Sequence, residues 1–334
     1  MKAFLCKTLG LLAIAAAVLS GCNAAAVPPG GASPNAASAS LARGWISPQA
    51  KSAPERLYVG GGTSGNIDVF ALSHGGTQGK LVAQLQYVPG AGGMHFDKFG
   101  NLYIGVSVSG GSGGGGPEGW VAVIAKGDPY ATYFVTGYNV ADIAWNSNEL
   151  LYSANYSPDG YFDPGSISVI DAAHNVLRTL ALPDASEAVG VTVNPRTHDV
   201  FTTYSGAGSG GRIAVLRAGR GKPHTLGVTF GSPWGIAADR NGNLLVADDG
   251  PGNIDVYTRK GKLLNSFAVE GTPLYFAFNK DYSLLYVTNF DNYDVEVYTY
   301  PGEKMVGSIH APDWQSDDWP TGVAIWPAPY VSGD

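Results

Sequence analysis

The chain has 334 residues, of which 45% are hydrophobic, 14% are charged and 47 are glycine. The apolar fraction excludes a disordered chain. Abundant glycine with few charges favours short strands and tight turns over helical bundles or coiled coils. The formal net charge of −7 at pH 7 is the opposite of what nucleic-acid-binding domains carry, so we expect no nucleic-acid partner.

The first residues have the pattern of a secretion signal. Two lysines precede an apolar run at residues 9–19, which is shorter than the ~20 residues that a membrane-spanning helix needs. The run ends in residues 19–22 (LSGC), which resemble the lipobox of bacterial lipoproteins. That resemblance implies a signal peptide at residues 1–21 and a lipid attached to Cys22. The alternative is an ordinary secretory signal with an incidental cysteine.

The residue after the cysteine bears on location. In Gram-negative lipoproteins an aspartate there favours retention in the inner membrane, whereas this chain has Asn23. The resemblance therefore implies a lipid-anchored, extracytoplasmic protein of the bacterial cell envelope, at the outer membrane or cell surface rather than the inner membrane. Residues 22–54 are rich in Ala, Ser, Pro and Gly without apolar periodicity, and we expect a flexible tether.

Cleavage would also change the charge and the cysteine content. Cys6, the only other cysteine, lies in the predicted signal peptide, so we expect no disulfide and no thiolate ligand in the folded part. Removal of two lysines leaves 20 − 2 = 18 basic and 27 acidic residues, a net charge of −9. We therefore expect acyl chains to hold the protein at the membrane.

A unit of four short strands recurs from residue 55 onward. Each copy opens with an apolar strand that ends at a polar residue, which we call the turn residue, and three further strands follow. The turn residues lie 49, 48, 45, 40 and 47 residues apart and are Asp97, Asn146, Asn194, Asp239 and Asn279, with Trp326 in the sixth copy. A four-stranded unit at this period predicts a β-propeller.

The two ends of the repeat region complement each other. The last copy has only its first strand, at residues 322–326, and the first copy, which begins at Arg56, lacks that strand. We therefore predict an all-β fold, a six-bladed β-propeller of four-stranded antiparallel blades, in which the C-terminal strand closes the first blade. The propeller would cover residues 55–327, with a tail at residues 328–334, and closure would leave only short sheet edges.

The clearest copy reads PWGIAAD at residues 233–239, GNL at residues 242–244 and VAD at residues 246–248. It resembles an NHL-type repeat and the wider six-bladed group that includes gluconolactonases and regucalcin. The resemblance implies the fold but no single activity, since this fold hosts enzymes and binding modules alike.

Gluconolactonase-like members hold a divalent metal at the mouth of the ring with Glu, Asn and Asp side chains. The corresponding positions here hold no carboxylate or amide, being Gly92, Ala141, Val189, Trp234, Leu274 and Thr321, so we expect no metal and no cofactor.

Candidate binding residues converge at one mouth of the predicted ring, because in an up-and-down blade the first strand begins on the face where the second strand ends. The polar candidates are Asp142, Asn155, Glu187, Asp248 and Asn289, and the aromatic candidates are Tyr204, Trp234 and Tyr293. The alternative is structural, since Asx side chains cap turns and aromatic rings pack between blades. Asp142 stands where the repeat has glycine, which turn chemistry does not explain.

These features favour a non-catalytic module that binds an unknown protein, peptide or glycan at the mouth. The Gly-x-Ser-x-Gly match at residues 110–114 lies in a glycine-rich run that we expect to be a flexible loop, since it opens no helix as a nucleophile elbow does. The sequence has no histidine spacing typical of metal sites, and we expect His95 to be a core residue. Two alternatives stay open. One is a metal-dependent hydrolase or lyase with a rearranged site around Asp142, Glu187 and Asp248, and the other is a purely structural envelope protein.

Overall fold

The computed structural model describes residues 55–329 apart from 86–87, 89, 108–118, 129, 157–164, 207–209 and 317. The predicted signal peptide, the tether, Cys22 and most of the predicted tail lie outside the described residues. Helical structure in the described part consists of two short 3₁₀ turns, His74–Gly76 and Arg217–Gly219. Within those same residues, no helix has the length and apolar character needed to cross a membrane.

The described strands form six antiparallel sheets of four strands each, which confirms the predicted six-bladed propeller. Blade 1 contains β1 (Arg56–Gly61), β2 (Ile67–Ser73), β3 (Gln78–Leu85) and the last strand of the chain, β24 (Pro320–Trp326). Blade 2 contains β4 (Ala91–Phe96), β5 (Leu102–Val106), β6 (Trp120–Ile124) and β7 (Ala131–Val135). Blade 3 contains β8 (Asn139–Trp145), β9 (Leu151–Tyr156), β10 (Ser166–Ile170) and β11 (Val176–Ala181).

The remaining three blades follow the same order. Blade 4 contains β12 (Ala185–Val193), β13 (Val200–Gly206), β14 (Gly211–Leu216) and β15 (His224–Thr225). Blade 5 contains β16 (Pro233–Ala238), β17 (Leu244–Asp248), β18 (Asn253–Tyr257) and β19 (Leu263–Ala268). Blade 6 contains β20 (Pro273–Phe278), β21 (Leu284–Asn289), β22 (Asp294–Thr299) and β23 (Met305–Ile309).

Closure of the ring occurs in blade 1, as predicted. Strand β24 pairs antiparallel with β1, with Arg56 opposite Trp326. The Trp326 ring also packs on Phe96 of blade 2, with 5.1 Å between ring centroids. In the segment before β24, the indole Nε1–H of Trp314 donates to Oδ2 of Asp68 at 2.9 Å. The C-terminal segment is therefore joined to blade 1 by both backbone and side-chain bonds.

Five of the six turn residues recur because each one caps the turn after the first strand of its blade, whereas Trp326 in blade 1 has no side-chain oxygen. Oδ1 of Asp97 accepts the backbone N–H groups of Phe99 and Asn101 at 2.8 and 2.9 Å. A similar pair of bonds is present at Asn146, Asn194, Asp239 and Asn279. This Asx geometry needs a short side-chain oxygen, which explains why the polar residue marks the repeat.

Apolar side chains fill the spaces between blades. The described residues form six buried apolar clusters, one for each pair of adjacent blades around the ring. Each blade therefore buries both faces of its sheet against its neighbours, and a single blade could not cover its own faces in water.

The ring has two faces. The mouth face is formed by the loops between second and third strands and by the loops between blades, and the basal face by the turns after the first and third strands. Glu55, the first described residue, lies at the basal face, because it precedes Arg56, which pairs with the last residue of β24. The chain therefore enters the propeller on the face opposite the mouth.

Candidate functional site

The inner strands approach one another at the position four residues before each turn residue. Four blades have glycine at this position, namely Gly93, Gly190, Gly235 and Gly322. A Cβ on Gly322 would lie 1.8 Å from the carbonyl oxygen of Gly92, so a larger residue would displace backbone. The other two blades carry Asp142 and Tyr275 at this position.

Asp142 is 7% exposed and joins its own blade to the next. Its Oδ1 accepts the backbone N–H of Ile143 at 2.8 Å, and its Oδ2 accepts that of Val191 in blade 4 at 2.9 Å. Burial raises the pKa of this carboxyl group to about 8, since the two N–H donors offset only part of the lost hydration. At pH 7 the group is therefore mainly neutral and can donate a hydrogen bond.

Tyr275 reaches across the ring from blade 6 to blades 3 and 4. Its hydroxyl donates toward the carbonyl oxygens of Ala141 at 3.1 Å and Val189 at 3.2 Å. Burial, with the nearby Asp142 adding to it, raises the pKa of Tyr275 well above its ordinary value. Tyr275 is also one of the residues that line the central channel. Tyr275 is not among the site residues predicted from the sequence, although its departure from the repeat glycine is the same signal that pointed to Asp142.

A cavity of about 110 Å³ lies on the basal side of these two residues. Its lining runs from Asp142 and Tyr275 to Phe96 and Phe278 at the basal ends of their strands. His95 also lines the cavity; its Nδ1–H donates to the Phe96 carbonyl oxygen at 2.8 Å, and burial lowers the pKa of the imidazole. This volume suits a few water molecules or a very small ligand.

Three polar candidates at the mouth are engaged within their own blades. Asp248 accepts three backbone N–H groups of adjoining loops. The side-chain amide of Asn289 donates to the Glu296 carboxylate at 3.1 Å, and its oxygen accepts two N–H groups of the following turn. The Asn155 side chain bonds three serine hydroxyls of blade 3. These bonds stabilise the loops that shape the mouth.

Glu187 and Tyr204 lie on the paired strands β12 and β13. Tyr204 is fully buried, and its hydroxyl shares a hydrogen bond with that of Thr225 at 2.8 Å. Its ring packs in the apolar cluster between blades 3 and 4 rather than at the mouth surface. Glu187 is half-buried and is the polar candidate whose side chain is most open to solvent.

Trp234 and Tyr293 belong to a group of four half-buried aromatic residues on the mouth face. We call Trp234, Phe290, Tyr293 and Trp319 the aromatic cluster; all four pack on the apolar side chains between blades 6 and 1. The rings of Phe290 and Trp319 pack edge to face with 5.0 Å between their centroids. The ring centroids of Trp234 and Tyr275 are 6.3 Å apart. The indole Nε1 of Trp234 is buried without a hydrogen-bond partner among the described residues.

The two faces carry opposite charge. The described loops of the mouth face contain no Lys or Arg but contain Asp184, Asp249, Glu270, Asp291, Asp313 and Asp318. The turns of the basal face contain twelve basic residues, all exposed, namely Lys98, Lys126, Arg196, Arg217, Arg220, Lys222, Arg240, Arg259, Lys260, Lys262, Lys280 and Lys304. The net negative charge of the chain thus hides a strong segregation of its basic residues.

The described residues bring together no group of three His, Cys, Asp or Glu side chains that could hold a metal ion. Asp142, Glu187 and Asp248 do not form such a group. Asp142 faces the channel, whereas Asp248 is held in a loop cap. The arrangement therefore does not favour the metal-dependent alternative.

Comparison with known proteins finds similar folds. No family model matches the chain, and no curated protein matches it. It is similar to a chain of a nidogen/laminin complex (TM-score 0.64, 14% identity, 81% of this chain and 98% of that chain). It is also similar to the hydrazine synthase of Kuenenia stuttgartiensis (TM-score 0.58, 15% identity, 74% of this chain and 80% of that chain). A third similar structure is the virginiamycin B lyase of Staphylococcus aureus (TM-score 0.54, 11% identity, 78% of this chain and 88% of that chain). At these identities the likeness concerns the fold alone.

Proposed function

We propose that this protein is a lipid-anchored, extracytoplasmic propeller that binds a positively charged protein segment at its mouth face. The observation that carries the proposal is the aromatic cluster, which lies on a face whose described loops hold six acidic residues, five of them at least partly exposed, and no Lys or Arg. Half-buried aromatic rings provide binding energy with little loss of side-chain entropy. The surrounding carboxylates favour a basic partner over a neutral or acidic one.

The face on which the chain enters the propeller suits binding at the mouth. Because Glu55 lies at the basal face, a tether that ends there would leave the propeller on the side opposite the mouth. A lipid on Cys22 would then be connected to the basal side of the propeller, which leaves the mouth open to partners. This orientation suits a module that captures a segment of another envelope protein.

The binding proposal can be tested with the chain from residue 23 onward and three labelled peptides of equal length, one basic, one neutral and one acidic. We expect the basic peptide to bind most tightly, and added salt to weaken it. Trp319→Ala should weaken binding about tenfold or more, because a buried tryptophan at an interface contributes on the order of 2 kcal/mol. Phe99→Ala, which removes an exposed aromatic ring from the basal face, serves as the matched control.

Two results would count against the proposal. One is equal affinity for the three peptides. The other is unchanged binding of the basic peptide by folded Trp319→Ala and Trp234→Phe proteins, with folding checked by circular dichroism and thermal unfolding. The Phe99→Ala control should bind the basic peptide as tightly as the unchanged protein, because Phe99 is exposed on the basal face.

A further inference from the structure

The basal face exposes its basic side chains and withdraws its acidic ones. All twelve basic residues in its turns are exposed, whereas only Asp128, Glu149 and Asp281 among the acidic residues of the same turns are. The others are half-buried or buried, and Asp97 and Asp239 among them accept backbone N–H groups. The surface that this face presents to its surroundings is therefore strongly positive.

Exposed aromatic rings lie among these charges. Phe99, at the tip of the turn after β4, is 62% exposed, and Tyr130, in the turn before β7 of the same blade, is 47% exposed. Lys98 lies over the Phe99 ring at 5.0 Å from its centroid, and Lys126 is exposed in the same turn as Tyr130. Aromatic rings flanked by lysines are typical of surfaces that rest in the headgroup region of a bilayer.

We propose that the basal face is a docking surface for an anionic phospholipid bilayer, with Phe99 and Tyr130 inserted among the headgroups and the surrounding Lys and Arg side chains bound to lipid phosphates. The acidic mouth face would be repelled by the same bilayer, so both faces favour one orientation. This inference concerns a different face from the mouth and does not require peptide binding there. It adds an electrostatic contact to the predicted lipid on Cys22, because the chain enters the propeller on the basal side.

A nucleic acid is a less suitable occupant of this face. The basic residues lie in turns of blades 2, 4, 5 and 6 and are therefore spread over separate parts of the basal face, whereas nucleic-acid-binding proteins carry a patch or stripe along one groove. The exposed Phe99 ring stands at a turn tip rather than in a groove where a base could stack. A bilayer is flat and can contact all of these turns at once.

The test is co-sedimentation of the chain from residue 23 onward, which lacks the predicted lipid, with vesicles of phosphatidylcholine alone or of equal parts phosphatidylcholine and phosphatidylglycerol. We expect binding to the anionic vesicles and not to the neutral ones. The double variant Lys98→Gln/Lys126→Gln should reduce the binding constant about tenfold or more, since each basic residue near an anionic surface contributes about a fivefold factor. Phe99→Ala should reduce it several-fold.

The matched control is Gln315→Glu/Ser316→Glu, which makes the same change in net charge at two exposed positions of the mouth face and should leave vesicle binding unchanged. Equal losses in the two double variants would overturn the docking surface, because net charge alone would explain the binding. Equally tight binding to a DNA duplex, with no effect of Phe99→Ala on either ligand, would also overturn it. Loss of peptide binding at the mouth leaves this result unaffected, so the two proposals fail independently.

Discussion

Asp142→Asn should change how the stability of the propeller depends on pH. In the folded protein the pKa of Asp142 is raised to about 8 by burial, whereas an aspartate in an unfolded chain has a pKa near ~3.9. Between these two values the native state holds a proton that the unfolded state releases. The contribution of Asp142 to the free energy of unfolding therefore falls as pH rises through this window, by about 1.4 kcal/mol per pH unit.

Asparagine stays neutral over the whole window, so the variant lacks this dependence. From pH 5 to pH 7 the wild-type protein should lose about 2.7 kcal/mol relative to the variant. At pH 5 the variant should be the less stable one by about 1–3 kcal/mol, because its amide has one acceptor oxygen for the two N–H donors of Ile143 and Val191. The two proteins should therefore reach similar stability near pH 7.

The measurement is equilibrium urea unfolding of both proteins at pH 5, 6 and 7, followed by circular dichroism. Other carboxyl groups titrate in both proteins, and their effects cancel in the difference. A difference that stays constant within about 0.5 kcal/mol across this range would refute the reasoning, since it would mean that Asp142 is already ionised in the native protein at pH 5.

Two further predictions concern packing and closure. Gly322→Ala should destabilise the propeller by about 2–3 kcal/mol or more, because its Cβ would lie 1.8 Å from the Gly92 carbonyl oxygen. The control is Gly227→Ala, since no atom lies within 4 Å of the added Cβ. Equal unfolding midpoints for the two variants would contradict the prediction. Trp314→Phe removes the donor to Asp68, whose pKa burial and Asp313 raise to about 7. This substitution should lower the free energy of unfolding by about 1–3 kcal/mol. The loss should be greater at pH 8 than at pH 6, where Asp68 is mainly protonated. Equal losses in thermal unfolding at the two pH values would argue against this role of Trp314.

The fold could be predicted from the sequence because its repeat depends on interactions between residues that are close in the chain. Five of the six turn residues cap a turn through their own side-chain oxygen, so Asp97 and its four counterparts had to be short and polar where the first strand ended. The missing strand before Arg56 and the surplus strand at residues 322–326 then fixed the closure. None of these inferences required knowledge of contacts between distant residues.

The site was less predictable, because its residues acquire their roles from contacts between blades. Asp248 and Asn289 could cap loops or face a ligand, and only the positions of neighbouring N–H groups assign them to the loops. Tyr275 has its role because Ala141 and Val189 lie opposite it in other blades. The opposite charges of the two faces were present in the sequence, but they become visible only when each turn is assigned to a face.

The pairing of β1 with β24 has a consequence for the order of events during synthesis. Strand β1 is the first of the described strands, yet its inner neighbour begins only at Pro320. Until that segment has reached the compartment in which the protein folds, the polypeptide keeps an open sheet edge, which is vulnerable to mispairing and attractive to chaperones. The ring should therefore close late in folding, when β24 pairs with β1. Truncated chains that lack β24 should keep the edge of β1 open and be recognised by quality control.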